Sequence, residues 1–236
     1  MQEFINQIVQ GDCLEIMKEI PDKSIDLIFI DPPYNVGQKF ANENLEHQEY
    51  INLFKKWITE LYRVLKLSGA FYMTYYHKKL FEIGQILTSF DWRFGNLIIW
   101  TYGNMAGSAW DKRIWAYNYQ PIFYFFKKDY KIDLQQKRFS ANTLGIDVWQ
   151  FTACQSNFKN PDIKRVHPSQ KPVSLLRHII HHSSNVNDIV LDCFMGSGTT
   201  AIACKQLGRK FIGIEIDPLF VELGRKRLAM EGEYLF

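Results

Sequence analysis

Four consecutive residues, Asp31-Pro32-Pro33-Tyr34, bring together groups that suit chemistry on an exocyclic amine. Neither proline has an N–H, so the loop offers carbonyl acceptors without competing donors. The Asp31 carboxylate adds a second strong acceptor beside them. The nitrogen of an exocyclic amine is a poor nucleophile, because its lone pair is delocalised into the ring. Two acceptors placed on its N–H groups draw the hydrogens out of plane, aim the lone pair and stabilise the developing positive charge. Tyr34 supplies a flat face on which a base can stack. The plainer reading of the same residues is a rigid strand-to-loop turn with a buried tyrosine.

A second group runs Asp192-Cys193-Phe194-Met195-Gly196-Ser197-Gly198-Thr199-Thr200-Ala201. Glycines between a strand and a helix allow a tight turn and close approach of a ligand to the backbone. Glu215, 19 positions beyond Gly196, is placed as a carboxylate that holds ribose hydroxyls would be. The loop by itself fits a nucleoside cofactor and leaves its identity open, a dinucleotide included. A third group, His167-Pro168-Ser169-Gln170-Lys171-Pro172, opens a helix. It suits a ligand carboxylate and equally a proline-rich helix entry with ordinary capping.

These groups need a frame that brings strand ends together. Apolar runs predict strands over 5–10, 25–30, 69–75, 92–101, 120–126, 188–193 and 211–216. Helical spacing predicts helices over 48–65, 78–89, 173–182, 199–207 and 218–230, the last with proline in its first turn. Strands alternating with helices form a mostly parallel sheet covered on both faces, with ligands bound beyond the carboxyl ends of its strands. Residues 130–166 have weak periodicity and read as a lobe or loop outside the sheet.

With 236 residues, 47% of them hydrophobic, the chain can fill one α/β domain with an appended lobe. The start, Met1-Gln2-Glu3-Phe4, has no signal-peptide pattern, and no run reaches the ~18 apolar residues of a membrane span. Four cysteines without a C-x-x-C pair read as reduced thiols of a cytoplasmic protein. His178, His181 and His182 share a helix without a spaced carboxylate or cysteine, so no metal site is assigned. The net charge of +3 is unevenly spread: residues 100–171 carry 11 basic and 5 acidic side chains. Trp100, Tyr102, Trp110, Trp115, Tyr117, Tyr119 and Trp149 lie in the same stretch. Basic residues interleaved with aromatics suit phosphate neutralisation and base stacking, although some of these rings must belong to the core. Lys112 and Arg113 in one loop, with Lys164 and Arg165, are the candidate phosphate contacts.

Together the three groups resemble the S-adenosylmethionine-dependent DNA amino-methyltransferases. DPPY is similar to that family's catalytic box and FMGSG to its cofactor loop. The order of box, basic segment, HPSQKP and FMGSG resembles the permuted β group. The resemblance implies a Rossmann-like α/β methyltransferase fold, with a seven-stranded, mostly parallel sheet and helices on both faces. Residues 1–126 would be the catalytic half, 127–166 the target-recognition region and 167–236 the cofactor half. The N-terminal strand would be the third of the cofactor half, and strands 92–101 and 120–126 would form an antiparallel hairpin.

The resemblance also implies roles. Asp31 and the carbonyl of Pro32, within the catalytic box that includes Pro33, would bind the target amine, with Tyr34 stacked on the base. The S-adenosylmethionine site would comprise Asp12, Cys13, Asp31, Ser169, Gln170, Lys171, Asp192, Cys193, Phe194, Met195, Gly196, Ser197, Gly198, Thr199, Thr200 and Glu215. Among these, Asp12 would contact the adenine, Glu215 the ribose, and Ser169 and Lys171 would lie near the methionine moiety. The implied reaction is site-specific methylation of a flipped-out adenine at N6 in double-stranded DNA, with N4-cytosine as the alternative. A cognate restriction endonuclease and a homodimer are compatible partners, in a cytoplasmic, prokaryotic or phage-encoded setting. A dinucleotide-dependent oxidoreductase is the rival from another class, and it gives DPPY no task. A DNA-binding module without activity would leave both ligand boxes idle. Methylation of a protein glutamine uses a similar N-P-P-Y box, but with the cofactor loop ahead of it.

Overall fold

In the computed structural model, which describes residues 1–37, 41–103, 113, 115–129, 145–157, 159–160 and 164–231, eight strands form one sheet. They are β1 (Gln7–Gln10), β2 (Ile25–Ile30), β3 (Leu65–Thr74), β4 (Trp92–Thr101), β5 (Tyr119–Lys127), β6 (Val148–Gln150), β7 (Ile189–Asp192) and β8 (Lys210–Glu215). The helices are α1 (Cys13–Met17), α2 (His47–Val64), α3 (Leu80–Thr88), α4 (Val173–Ser183), α5 (Thr199–Leu207) and α6 (Pro218–Met230).

The sheet order is β1-β8-β7-β2-β3-β5-β4-β6, with β5 antiparallel to both of its neighbours. Residues 92–101 and 119–127 thus make the expected hairpin, and β1 completes a β7-β8-β1 half. The sheet has one strand more than expected. Val148–Gln150 lies parallel to β4, pairing Ile99 with Val148 and Thr101 with Gln150. Part of the segment read as lying outside the sheet is therefore its edge strand. Three residues are too few to show a period, so pairing with β4 decided their state.

β2 is buried on both faces, as a parallel central strand must be. Ile28 and Ile30 point into one core with Tyr50, Phe54, Trp57 and Leu61 of α2. Leu27 and Phe29 point into the other, with Leu176, Ile179 and Ile180 of α4 and Ala201 of α5. From β2 the chain runs through α2 to β3 on one side, and from β7 through α5 to β8 on the other. The winding therefore reverses between β2 and β7, and a crevice opens at their carboxyl ends.

Candidate active site

Strand order sets the site. Next to the carboxyl ends of β1, β8, β7, β2 and β3 stand Asp12, Glu215, Asp192, Asp31 and Thr74 in turn, on neighbouring strands spaced about 4.8 Å apart. A cleft of about 370 Å³ runs along this row. Its wall includes Asp31 to Tyr34, Asp12, Cys13, Trp57, Ser169 to Lys171, Asp192 to Ser197, Thr199, Thr200, Glu215 and Phe220. The structure thus gathers DPPY, HPSQKP and FMGSG around one cavity, within the size range of small-ligand sites.

Asp31 is more enclosed than the sequence indicated. Its Oδ1 accepts hydrogen bonds from the Tyr34 hydroxyl and from Thr74 Oγ1 at 2.5 Å. Its Oδ2 accepts from Ser169 Oγ at 3.0 Å and from the Lys171 ammonium. Ser169 and Lys171 therefore meet the Asp31–Tyr34 loop itself. The Tyr34 hydroxyl also accepts from Gln120 Nε2 at 2.6 Å. Burial first, then the adjacent Asp31 carboxylate, holds the Tyr34 pKa well above the usual phenol range, which keeps the hydroxyl a donor. The Tyr34 ring lies nearly parallel to Tyr76, at 6.5 Å and 12°, and beside Tyr75 at 4.9 Å.

The carbonyls of the box are not equivalent. That of Pro33 accepts from the Tyr50 hydroxyl at 2.7 Å. Among the described residues nothing donates to the carbonyl of Pro32. The buried Glu43 carboxylate braces the loop, accepting from the backbone N–H of Tyr34 at 2.8 Å and of Val36 at 2.6 Å.

The other end of the cleft is acidic. Glu215 Oε2 accepts from Gly196 N at 2.7 Å and Oε1 from Asp217 N at 2.9 Å. A carboxylate has about four lone-pair sites, so acceptor capacity remains for hydroxyl donors. Burial raises the Glu215 pKa, and backbone N–H donors oppose that shift. Asp12 caps α1 through Leu14 N and keeps an exposed face on the cleft. Asp192 is buried, accepting from Thr200 Oγ1 at 2.5 Å and Phe194 N at 3.0 Å. Burial pushes its pKa up to about 7. The Phe194 ring meets Trp57 edge-on at 4.9 Å, which makes an apolar wall.

Gly196 and Gly198 have φ of +52° and +83°, a region that favours glycine. They differ in use. Gly196 faces the cleft, where a Cβ would stand 3.7 Å from the His167 ring. Gly198 points the other way, and a Cβ on it would meet Gly224 Cα of α6 at 3.0 Å. Gly198, also expected as a cofactor contact, does not border this cleft, and its lack of a side chain allows α6 to close on the loop. Arg227 of α6 fixes the same loop, donating to Ser197 O at 2.6 Å, Ser197 Oγ at 2.9 Å and Thr199 Oγ1 at 3.3 Å. Gln170 borders the cleft, but its amide is engaged with Val166 N and Lys164 O.

Thr74, Gln120, Glu43, Tyr50, Gly224 and Arg227 were not singled out from the sequence. Thr74 left one trace, as a polar residue ending the apolar strand Phe71-Tyr72-Met73. The others show no local signal. Of the candidate phosphate contacts, Arg113, Lys164 and Arg165 are exposed, and Lys112 lies outside the described residues, as does Trp110 of the aromatic set. His178 packs on Trp149 at 4.7 Å and on Phe151 at 5.5 Å, away from this cleft. Among the described residues no helix is long and apolar enough to cross a membrane.

A family model described as DNA methylase matches residues 25–226. The type II methyltransferase M.HinfI of Haemophilus influenzae is 32% identical over 254 residues, covering 97% of this chain and 69% of that protein. The type II methyltransferase M1.MboII of Moraxella bovis is 32% identical over 246 residues, covering 92% of this chain and 94% of its own length. Among solved structures, M1.HpyAVI in complex with SAM aligns at a TM-score of 0.71 and 26% identity, over 94% of this chain and 99% of that one. The PvuII DNA methyltransferase, cytosine-N4-specific, shares the fold at a TM-score of 0.74 and 20% identity, covering 96% and 90%.

Proposed function

The chain belongs to the DNA methylase family of the N6/N4 type, and from that premise we propose that it methylates the N6 amine of an adenine flipped out of double-stranded DNA. The methyl donor is S-adenosylmethionine, which when bound supplies an electrophilic methyl group. The cleft fits it. Glu215 keeps acceptor capacity for two ribose hydroxyls, Gly196 leaves its face open, and Phe194 and Trp57 give an apolar wall for a purine. Asp12 would meet the adenine edge.

One observation carries the reaction. Asp31 and the open carbonyl of Pro32 follow β2, directly beside the cofactor loop that follows β7. Those two acceptors take the N–H groups of the target amine and direct its lone pair along the cleft. Tyr34 and Thr74 fix the Asp31 carboxylate in rotation through Oδ1, and Glu43 and Tyr50 fix the loop backbone. Lys171 and Ser169 occupy Oδ2, where the incoming amine would displace or share their bonds. Asp31 at the head of the box supports adenine, because the cytosine members of the family more often carry serine there. Residues 1–126 and 167–236 would be the catalytic and cofactor halves, with 127–166 reading the target sequence. Lys112, Arg113, Lys164 and Arg165 would neutralise phosphates.

The test is to incubate the protein with S-adenosylmethionine and unmethylated DNA, digest the product and identify the modified nucleoside. N6-methyladenine is expected; N4-methylcytosine alone would overturn the adenine reading.

A further inference from the structure

Trp115 is 97% exposed. An aromatic side chain offers about 150–250 Å² of mostly apolar surface, and a ring left in water beside a second exposed ring is open to a partner. Tyr117, two residues on, is 44% exposed, and Tyr119 begins β5. Alternate residues of an extended segment project to the same side. Tyr117 and Tyr119 show this, for both rings meet His77, at 3.9 Å and 6.0 Å between centroids. His77 touches Tyr76 at 4.7 Å, and Tyr76 lies parallel to Tyr34. A row of rings thus leads from Tyr34 at the reaction site to Tyr117, and the exposed Trp115 and Arg113 lie two and four residues before Tyr117 in the chain.

We infer that Trp115 and Tyr117 form a stacking surface for the bases that flank the target in the DNA substrate. The inference rests on the DNA-methylation reading and adds to it the residues that hold the unstacked strand. The structure separates these rings from others in the basic stretch. Trp100 is buried with its Nε1 bonded to Phe151 O, and Trp149 packs on His178, so neither is available to DNA. Nucleobases are the occupant that fits, because the row begins at Tyr34 in the reaction site and an exposed arginine, Arg113, lies two residues from Trp115 in the chain. Residues 100–171 also hold 11 basic against 5 acidic side chains. Stacking of this kind is tolerant of sequence, so it holds the strand without selecting the site.

The experiment compares wild type with Trp115→Ala and Trp115→Phe on unmethylated duplex DNA. Trp115→Ala is expected to weaken DNA binding, and raise KM for DNA, by about ten- to a hundredfold. Trp115→Phe should restore most of that loss, and affinity for S-adenosylmethionine should hold. In the free protein acrylamide should quench Trp115 strongly, and DNA should shield it; Trp115→Phe should remove that shielded component. Unchanged DNA affinity in Trp115→Ala, or a Trp115 still quenched in the complex, would overturn the inference. Shielding by lipid vesicles and not by DNA would overturn it too, assigning the surface to a membrane. If DNA shields Trp115 while the wild type transfers no methyl group to it, the stacking surface stands and the activity reading fails.

Discussion

The ammonium of Lys171 lies on Oδ2 of Asp31, joining side chains 140 positions apart in the sequence, both largely buried at 8% and 13% exposure. The Asp31–Tyr34 loop and the helix entry before α4 are therefore one charge cluster. This bears on the obvious test of Asp31. Removing the carboxylate leaves a buried ammonium without its partner, and breaking such a pair costs about 3–5 kcal/mol.

Asp31→Ala is accordingly expected to abolish methyl transfer and also to lower stability, with affinity for S-adenosylmethionine held within about tenfold. The double variant Asp31→Ala/Lys171→Met should recover much of the stability, since an apolar side chain replaces the stranded ammonium, and none of the turnover. Urea unfolding and single-turnover transfer separate the two effects. Near-normal turnover in either variant would sink the two-acceptor mechanism.

Glu215→Ala should weaken binding of S-adenosylmethionine by roughly ten- to a hundredfold, as expected for lost hydrogen bonds to a charged group worth about 1.5–3 kcal/mol. Calorimetric titration measures this directly. An unchanged dissociation constant would remove Glu215 from the cofactor site.

Two glycine-to-alanine changes should have opposite signs. At Gly224 a Cβ would meet Ile8 Cδ1 at 3.0 Å and Gly198 N at 3.4 Å, so the Ile8 side chain must give way beside a close loop contact. Overpacking of this kind costs about 1–3 kcal/mol, and cofactor affinity should fall with it. At Gly84, inside α3, the nearest atom would be 3.7 Å away, so helix propensity should stabilise by about 0.5–1 kcal/mol. Thermal melts of both variants check the pair, and a stabilised Gly224→Ala would refute the close approach.

Burial, then the neighbouring His182 and His181, lowers the His178 pKa from about 6.5 to about 4. The unfolded chain then binds more protons than the folded one between those values. Stability from this group is present in full above pH ~6.5 and is lost as pH falls toward 4. His178→Phe should flatten that part of the urea-midpoint profile; an unaltered slope would exclude the histidine as its source.

Lys164→Ala/Arg165→Ala should weaken DNA binding at low salt and reduce the slope of log affinity against log salt by up to about two. Binding measured at several salt concentrations tests it. An unchanged slope would place both residues outside the interface.

Sequence alone determined the longer elements, though not the five-residue α1 or the three-residue β6, and the chemistry carried by contiguous residues. The bounds of β2, β4, α5 and α6 follow from runs and periods long enough to read, and DPPY and FMGSG declare themselves because each is local. Strand order is not local. Only the fold decided that β2 lies against β7, which sets Asp31 beside the cofactor loop, and that β3 brings Thr74 to Oδ1. Lys171 on Asp31, Gly224 against Gly198 and, over nine residues, Glu43 under Tyr34 are pairings that no spacing encodes. The three-residue β6 belongs with these, because a segment so short takes its conformation from the edge it joins. The sequence therefore named the acceptors, and packing determined which are already engaged: Pro33 by Tyr50, Asp31 by four donors, leaving the carbonyl of Pro32 open among the described residues.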